Sequence, residues 1–566
     1  MNLILLTGSE AQDALASDEF QEHWRALYER CPWASACQHP GFVLPWYRLY
    51  HDAFLAVVVI ARYPEGGLAG LLTLARPRAG GAITAAGERQ AEYHAWLASP
   101  ADADGFILAA LTVLRRAFGG VELRLRYLPP GIPLGWSVAG GGAARHCVLH
   151  ASRRPLVHVD ASAMARQRSK KNHRQNFNRL GRMGRPAFEK IDSHARFAEV
   201  ADDIRSQYDF RQAVLHHQTP FRDDPRKLPF LFALHERGLL HVTVLTIDGE
   251  VAASHVGLLS PGRAVHLGLN THSPVYAAHS PGHLLLAMLG VRLAEEGMPL
   301  FDLTPGGDEY KEHFATGHDL VFELVAYGSG TRRLAGQVRS AALHCAKAGL
   351  RAAGLRRADL SAIRAAFPEM LRRWRACVVD CVRGRPHGRL AAGWLVRQAG
   401  AAPGDTLRPA LARNRLADAL CFDEAGAPLG YWQFQRQAIS RMEHSRQLYS
   451  LAKDGKLLVC CWLAIGAAGA LPPELRPVTD GREGAILLFD LYRHPEFADR
   501  ACVVDFIASL LHELRRRGMD GPIAVDCGWN PELRQMFEAN GFAAIDRAPL
   551  RRDGESPPVG LREAGS

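Results

Sequence analysis

The stretch from Val265 to Phe314 constrains the fold more than any other part of this 566-residue chain. Apolar residues alternate from Val265 to Leu269, which is the period of a half-buried strand. Residues 280–282 read SPG and open a helical pattern, with a serine suited to the N-cap and a proline suited to the first turn. Unpaired amides at such a helix start favour an anion. The stretch therefore predicts a strand that leads into an anion-binding helix.

Length and composition indicate a large folded protein. A chain of this length exceeds what one core serves, so we expect three or four domains. Apolar residues make up 48% of the chain, and no low-complexity tract interrupts them. The net charge of +10 favours contact with anions, which could be cofactor phosphates, nucleic acid or an acidic membrane surface.

Several classes of protein and site are disfavoured. The eleven cysteines include no CxxC pair, so neither a disulfide framework nor a zinc ribbon is expected. The N-terminal sequence lacks the basic and long apolar regions of a secretory signal, and no apolar run approaches membrane-spanning length. We expect a cytoplasmic protein, with peripheral contact at the inner face of the membrane as an option.

The first part of the chain predicts two α/β lobes, over residues 1–155 and 156–330. Near the start of the second lobe, Arg166 to Lys190 carries nine lysines or arginines and one acidic residue. A solvated surface helix and a basic wall for an anionic cofactor or substrate both explain this bias. From Leu239 onward, three strand-like runs separated by tight turns predict an antiparallel meander.

Residues 331–405 predict a basic helical linker. Arginines recur at helical spacing among alanines and leucines, which suits docking between domains or contact with an anionic membrane. Residues 406–566 then repeat the earlier plan, with helices at Ser440–Leu451, Val503–Arg517 and Pro531–Ala539 among three strands. The helix start after Tyr492 lacks a glycine-rich turn, so this copy is expected to bind a cofactor poorly or not at all.

Two motifs carry a family resemblance. HSPGHLLLAML followed by FDLTPGGDEYKEHF resembles the signature of CelD/BcsL-type acetyltransferases of the GNAT superfamily, and the layout is similar to that of FemAB-type transferases. The resemblance spans roughly residues 15–330, and its specific motifs lie within 266–314. The run from Asn530 to Phe542 is similar to the final helix element of GNAT domains.

The resemblance implies a fold of tandem GNAT-like lobes, each a mixed, mainly antiparallel sheet flanked by helices, with a further GNAT-like domain after the linker. It also implies acetyl-CoA or another acyl-CoA as the donor, with pantetheine between splayed strands and pyrophosphate at the helix start. The cofactor-binding residues expected from it are Leu267, Gly268, Ser280, Gly282, His283 and Lys311.

Four residues are candidates for the chemistry. Tyr310 could protonate the departing thiolate or pack its ring on the sheet. Asp302 ends a buried strand, where its carboxylate could act as a base, orient the substrate or cap the following turn. His255 and His266 lie on neighbouring predicted strands, and either imidazole could be the base. Lys311 could meet a phosphate, pair with Asp302 or lie in solvent.

Other chemistries are weakly indicated. The histidines between 255 and 318 form no HxH or HExxH pattern, so no metal site is expected. Cys460 and Cys461 lie within an apolar strand pattern, which favours buried, inert thiols over nucleophiles.

The sequence therefore predicts an acyl-CoA-dependent N- or O-acyltransferase. The family resemblance also implies a small-molecule or saccharide acceptor in exopolysaccharide or cell-envelope biosynthesis. The machinery of that pathway is an expected partner, and nucleic acid is not. A FemAB-like aminoacyltransferase and a non-catalytic scaffold of an envelope-assembly complex are the alternatives.

Overall fold

The computed structural model describes residues 2–138, 142–306, 308–338, 342, 394–397, 409–466 and 485–544, except residues 426, 428, 497, 520, 528 and 529. The chain divides into two compact units, residues 1–372 and residues 373–566. Each has its own mainly antiparallel sheets, flanking helices and hydrophobic core. This is the mixed α/β architecture that the sequence predicts.

The first unit begins with a five-stranded sheet. Its strands are β1 (Asn2–Thr7), β2 (Phe54–Arg62), β3 (Leu68–Pro77), β4 (Thr84–Ala85) and β5 (Leu97–Ala98). The order is β1-β2-β3-β4, and β5 also pairs with β3. The helices of this part are α1 (Gly8–Ala16), α2 (Asp18–Arg30), α3 (Pro40–Tyr50), α4 (Ala103–Phe118) and α5 (Gly135–Val138).

A nine-stranded sheet follows and carries the stretch that the sequence singles out. Its strands are β6 (Leu123–Leu128), β7 (Cys147–His158), β8 (Pro186–Lys190), β9 (Leu240–Ile247), β10 (Glu250–Ser260), β11 (Ala264–His266), β12 (Leu269–His272), β13 (Leu300–Asp302) and β14 (Gly317–Ala326). The order is β6-β14-β7-β13-β11-β10-β9-β8, and β12 pairs with β10. The predicted meander is confirmed in β9 to β12. The sheet also takes in β6, which precedes residue 156, and β7, which spans it, and both strands pair with β14.

Seven helices accompany this sheet in the described residues. They are α6 (Ala161–Arg168), α7 (Lys171–Leu180), α8 (His194–His216), α9 (Pro220–Asp223), α10 (Lys227–Glu236), α11 (Pro281–Glu295) and α12 (Glu309–Phe314). Helix α11 buries Leu286, Leu289 and Leu293 in one cluster with Val265 and Phe301. Each fully buried leucine stabilises the fold by about 2 kcal/mol. This packing fixes α11 against β11 and β13.

The second unit contains one seven-stranded sheet. Its strands are β15 (Trp394–Arg397), β16 (Ala412–Arg413), β17 (Gln447–Lys453), β18 (Lys456–Gly466), β19 (Ala485–Arg493), β20 (Ile523–Asp526) and β21 (Ala543–Ala544). The order is β16-β17-β18-β19-β20-β15-β21. Its helices are α13 (Leu416–Leu420), α14 (Tyr431–Glu443), α15 (Arg500–Arg516) and α16 (Pro531–Glu538). The repeated plan of strands and helices is thus present in this unit.

Two local predictions for the later part of the chain are wrong. The helix predicted over Ser440–Leu451 ends at Glu443, because Ser445 turns the chain in the left-handed region (φ 61°) and β17 then pairs with β18. Trp394–Arg397 lies within the predicted helical linker, but it forms a strand between β20 and β21. Its leucine and valine are buried there. Residues 331–338 are helical as predicted, and most of the remaining linker lies outside the described residues.

Among the residues that the structure describes, no helix is both long enough and apolar enough to cross a membrane.

Candidate active site

The strand that carries the site bulges at Leu267 and Gly268. Before the bulge, β11 runs parallel to β13 through three residue pairs that end at His266 and Asp302. After it, β12 pairs with β10, so the chain diverges from β13. Gly268 has a φ of 49°, and a Cβ atom there would lie 2.2 Å from the carbonyl oxygen of Val256. Only glycine tolerates both the positive φ and the close approach of the Val256 oxygen, so the geometry of the bulge requires glycine at this position.

Helix α11 begins without a side-chain cap. Ser280 occupies the N-cap position as predicted, but its backbone is left-handed (φ 50°) and its hydroxyl makes no capping hydrogen bond. Capping serines have extended backbones, which aim the oxygen at the first-turn amides. The first turn also contains no acidic residue, and Gly282 places no side chain over it. Pro281 has no N–H, and the amide of His283 donates to the backbone oxygen of Ser280 at 3.1 Å. The helix start therefore presents the amide of Gly282 and a partial positive charge to a ligand.

Basic helix α7 packs beside this helix start and against residues 274–279, which lead into it. His173 and Arg174 line a cavity of about 100 Å³ together with Leu284 and Met288 of α11. The ring of His283 lies 5.7 Å from the ring of Phe314, between centroids, and its pKa is lowered by burial and then by His173 and His313. The helix start is thus surrounded by imidazoles and arginine.

The basic stretch has two distinct faces. Phe177 and Leu180 pack into one apolar cluster and Met164 into another. Eight cations of this stretch are exposed, and none forms an ion pair with another described residue: Arg166, Arg168, Lys170, Lys171, Arg174, Arg179, Arg182 and Arg185. Lys190, by contrast, pairs with Asp192 and Glu296.

Tyr310 lies across the divergence from β12. Burial and then Asp308 raise the pKa of its phenol, whereas Arg211 and the Asn270 side chain act in the opposite direction. Arg211 also donates a hydrogen bond to the backbone oxygen of Asn270 at 2.9 Å. The Oδ1 atom of Asn270 is buried without a hydrogen-bond partner of acceptable geometry in the described part of the chain. A protonated phenol and an unsatisfied acceptor therefore face the same space.

Asp302 is fully buried and binds three side chains through Oδ2. Tyr93 donates its hydroxyl at 2.6 Å, Arg154 donates Nη1 at 2.9 Å, and His266 places Nδ1 at 3.4 Å. Its other oxygen accepts the backbone amide of Thr304 at 2.8 Å. The carboxylate thus caps the turn after β13, one of the three roles weighed for it, and also anchors a buried network.

His266 is the cation at the centre of this network. Burial alone would lower its pKa, but hydrogen bonds and charge from Asp302 and Glu92 outweigh burial and raise the pKa to about 9. Its Nδ1 lies 3.2 Å from Glu92, and its Nε2 lies 2.6 Å from the hydroxyl of Ser260. Burial likewise opposes ionisation of Asp302, yet His266 and Arg154 hold its pKa down to about 2. Both groups are therefore charged at neutral pH.

His255 supports the bulge from inside the sheet. It is fully buried, and its Nε2 donates to the backbone oxygen of His266 at 3.0 Å. Burial, followed by His241, lowers its pKa to about 3, so the imidazole is neutral. Its ring is closed off from solvent, which places it out of reach of an acceptor molecule.

Lys311 is buried beneath the loop that follows β13. Its Nζ lies 3.3 Å from the hydroxyl of Thr304 and 3.4 Å from the carboxylate of Asp308. Neither solvent exposure nor pairing with Asp302 is observed. The lysine ties down the loop between β13 and α12, and so it holds Tyr310 in place.

Known proteins resemble this chain over the same region. Residues 167–312 match the family model described as an acetyltransferase (GNAT) domain. This segment is a GNAT-type acyltransferase domain. No curated protein matches the chain by sequence.

Solved structures similar to this chain include three acyltransferase-like proteins. The C-terminal domain of a putative lysylphosphatidylglycerol synthetase from Agrobacterium fabrum is 14% identical, with a TM-score of 0.36 over 58% of this chain and 95% of its own. FemX is 9% identical, with a TM-score of 0.38 over 54% and 96%. A tandem GNAT protein from the clavulanic acid biosynthesis pathway is 15% identical, with a TM-score of 0.37 over 58% and 99%. At these TM-scores the likeness carries no argument about activity.

The GNAT domain brings the predicted residues together in two groups. Leu267 and Gly268 form the bulge, with the Leu267 side chain buried in the apolar cluster that Tyr310 also contacts, and Ser280, Gly282 and His283 form the start of α11. Asp302 and His266 belong instead to the buried network, while His255 and Lys311 support the backbone.

Sequence reasoning missed several partners of the GNAT domain. Tyr93 and Glu92 come from a loop of the first lobe, and Arg154 comes from β7. Asn270 and Arg211 flank Tyr310 from β12 and α8. None of these residues stands in a motif, so no local signal points to them.

The described residues contain neither a candidate metal site nor an activated thiol at Cys460 or Cys461. No group of three histidine, cysteine, aspartate or glutamate side chains there could hold a metal ion. Cys460 and Cys461 are buried as predicted, and burial raises the pKa of both thiols.

Proposed function

We propose that the chain transfers an acyl group from acetyl-CoA, or a related acyl-CoA, to an amine or hydroxyl acceptor. One observation carries the proposal: the bulge at Gly268 separates β12 from β13, and the chain then enters a helix start that has no side-chain cap and leaves the amide of Gly282 without a backbone partner among the described residues. A long ligand with an acyl thioester at one end and a pyrophosphate at the other fits such a path.

The residues present fit acyl-CoA at three places. The uncapped start of α11 suits the pyrophosphate, and the nearby Arg174 supplies charge for phosphates. The orphaned Oδ1 of Asn270 suits an amide N–H of the pantetheine arm. Acyl-CoA would supply the activated thioester, and the chain would supply binding, orientation and proton transfer.

Tyr310 is the proposed acid. Its raised pKa keeps the phenol protonated at neutral pH, and it faces the space between β12 and α12. A phenol in this state can donate its proton to a departing thiolate. Lys311 and Asp308 hold the loop from which Tyr310 projects.

Asp302 and His266 are proposed as positioning residues. A buried carboxylate with a pKa near 2 and a cationic imidazole are both poor bases at neutral pH. They fix the ends of β11 and β13, where the two strands begin to diverge. The bulge backbone is thereby held in one geometry.

The acceptor is proposed to be a sugar or an envelope precursor, on the family resemblance. The proposed location is the cytoplasm, with peripheral contact at the inner face of the membrane. Mass spectrometry of cell-envelope material from cells with and without the protein would identify the acylated product. Loss of an acylated species in cells carrying Gly282→Asp, with Gly330→Asp as an exposed control, would tie that product to this site.

Aminoacyl transfer from a charged tRNA is the second candidate. The eight exposed, unpaired cations between Arg166 and Arg185 favour it, because a polyanion would neutralise them. Calorimetry separates the two donors. Acetyl-CoA binding that is lost in Gly282→Asp supports the first candidate, whereas tRNA binding with no acetyl-CoA binding supports the second.

A further inference from the structure

The second unit repeats the strand divergence of the GNAT domain. Strand β19 runs parallel to β20 through three residue pairs that end at Leu488 and Val525. Two residues later, Asp490 adopts a left-handed backbone (φ 50°). Between Phe489 and Tyr492 the strand carries one residue more than its partner β18. The same bulge therefore occurs at the same distance from the last parallel pair.

In this unit, the helix that follows the bulge has a capped N-terminus. Asp499 is the N-cap of α15, and its carboxylate accepts the backbone amide of Cys502 at 2.8 Å. A carboxylate at a helix N-terminus satisfies the free amides and repels a phosphate. Ser280 in the first unit makes no such bond. The copy is thus unsuited to the pyrophosphate of acyl-CoA.

A separate pocket lies in this unit between α14 and the strands β18 and β19. Its volume is about 360 Å³, within the range of small-molecule sites. Ala464, Leu487 and Phe489 give it an apolar wall, while Arg441, His444 and Arg446 bring nitrogen atoms to its edge. None of the described residues that line it is acidic.

The two arginines differ in their charge balance. Arg441 pairs with Asp490 of the bulge, and its guanidinium lies 5.1 Å from the ring centroid of Trp462 and 5.2 Å from that of Phe489. Arg446 is half-buried and forms no ion pair with any residue in the described part of the unit. One guanidinium is therefore left to face an anion beside an apolar wall.

We propose that this pocket binds a small carboxylic acid with an apolar body. A guanidinium matches a carboxylate through two parallel hydrogen bonds, and a single uncompensated arginine balances a single negative charge. The apolar body lies against Leu487 and Phe489. The site is independent of acyl-CoA binding in the first unit.

Ligand-observed saturation-transfer NMR on the full chain tests the pocket. The probes are phenylacetate and hexanoate, with the uncharged phenylacetamide and hexanamide as controls. We expect saturable binding of one or both acids with a Kd on the order of 1 mM or tighter, and at least roughly tenfold weaker binding of the matching amide. Equal binding of acid and amide, or no saturable binding by any probe, overturns the proposal.

Variants assign the site. Arg446→Gln is expected to weaken acid binding at least roughly tenfold. Arg446→Lys should weaken it less, because lysine keeps the positive charge but cannot form the two parallel hydrogen bonds of a guanidinium. Arg534→Gln on α16, an exposed arginine outside the pocket, is the matched control and should bind the acid like the parent. Acid binding that survives Arg446→Gln, or that is lost in Gly282→Asp, places the probe elsewhere and overturns the assignment. Thermal unfolding of each variant confirms that it is folded.

Discussion

Gly268 and Asp490 occupy the same position in two separate sheets. Each lies two residues beyond the last parallel strand pair, and each has a left-handed backbone, with φ of 49° and 50°. The helices that follow differ, because α11 begins without a side-chain cap and α15 is capped by Asp499. Strand divergence is therefore shared, whereas a carboxylate caps the helix that follows it in the second unit and not in the first.

This contrast predicts the stoichiometry of cofactor binding. The full chain should bind one acetyl-CoA, as measured by isothermal titration calorimetry, because the helix that follows the bulge has no side-chain cap in the first unit but is capped by Asp499 in the second. Gly282→Asp should abolish the binding by adding bulk and negative charge at that start. Gly330→Asp is the control, since Gly330 is exposed and a Cβ atom there meets nothing within 4 Å. A stoichiometry of two would contradict the inference that the Asp499 cap keeps a phosphate from the start of α15. No binding at all would contradict acetyl-CoA as the donor.

Gly268→Ala should destabilise the first unit and weaken acetyl-CoA binding. A Cβ atom would lie 2.2 Å from the carbonyl oxygen of Val256, so the bulge would have to shift. Gly249→Ala is the matched control, because Gly249 also has a positive φ (88°) but nothing lies within 4 Å of its Cβ position. We expect a loss of about 1 kcal/mol for the control from backbone strain alone. Gly268→Ala should cost clearly more in urea unfolding, and equal losses would show that the bulge relaxes freely.

Stability should depend on pH through His266 and Asp302. The folded pKa of His266, about 9, lies above its ordinary value, so its contribution is complete below about pH 6.5 and is lost as pH rises through 9. The folded pKa of Asp302, about 2, lies below its ordinary value, so its contribution is complete above about pH 4 and is lost as pH falls towards 2. Urea unfolding should therefore show a plateau between about pH 4 and 6.5 and a decline on the alkaline side.

Asp302→Asn tests the source of that alkaline decline. Removal of the carboxylate should lower the pKa of His266 and leave Arg154 with one buried partner fewer. We expect a loss of about 3 kcal/mol or more at pH 6 and a flatter profile between pH 6.5 and 9. NMR titration of the His266 imidazole measures the pKa directly. An unchanged histidine pKa in the variant would show that Glu92 alone holds the charge.

Tyr310→Phe should lower turnover far more than acetyl-CoA affinity. Loss of a proton donor typically reduces the rate by about 10²- to 10⁴-fold, whereas the ring that packs beside α11 is kept. Thiol release with the acceptor identified by mass spectrometry gives kcat, and calorimetry gives Kd. Tyr63→Phe, a hydroxyl in the first lobe that bonds to Asp102, is the control. An unaltered kcat would return Tyr310 to a packing role.

The order of elements could be predicted from local patterns. Alternating apolar residues identified β9 to β11, and the SPG run identified the start of α11, because strand period and helix-start chemistry are properties of neighbouring residues. The single strand predicted through Leu269 is in fact two strands. The bulge that divides it depends on the backbone of β10, where Gly257 and Val256 lie opposite.

The charge states of the site could not be predicted in this way. The sequence by itself determined that Asp302 ends a buried strand, that His255 and His266 lie on neighbouring strands, and that a basic helix precedes them. Only the tertiary structure decided that Asp302 and His266 meet each other, which turns two candidate bases into a buried ion pair, and that Tyr93 and Glu92 of the first lobe join them. A pKa is set by burial and by charges within a few ångströms, and those neighbours come from segments more than 150 residues apart along the chain.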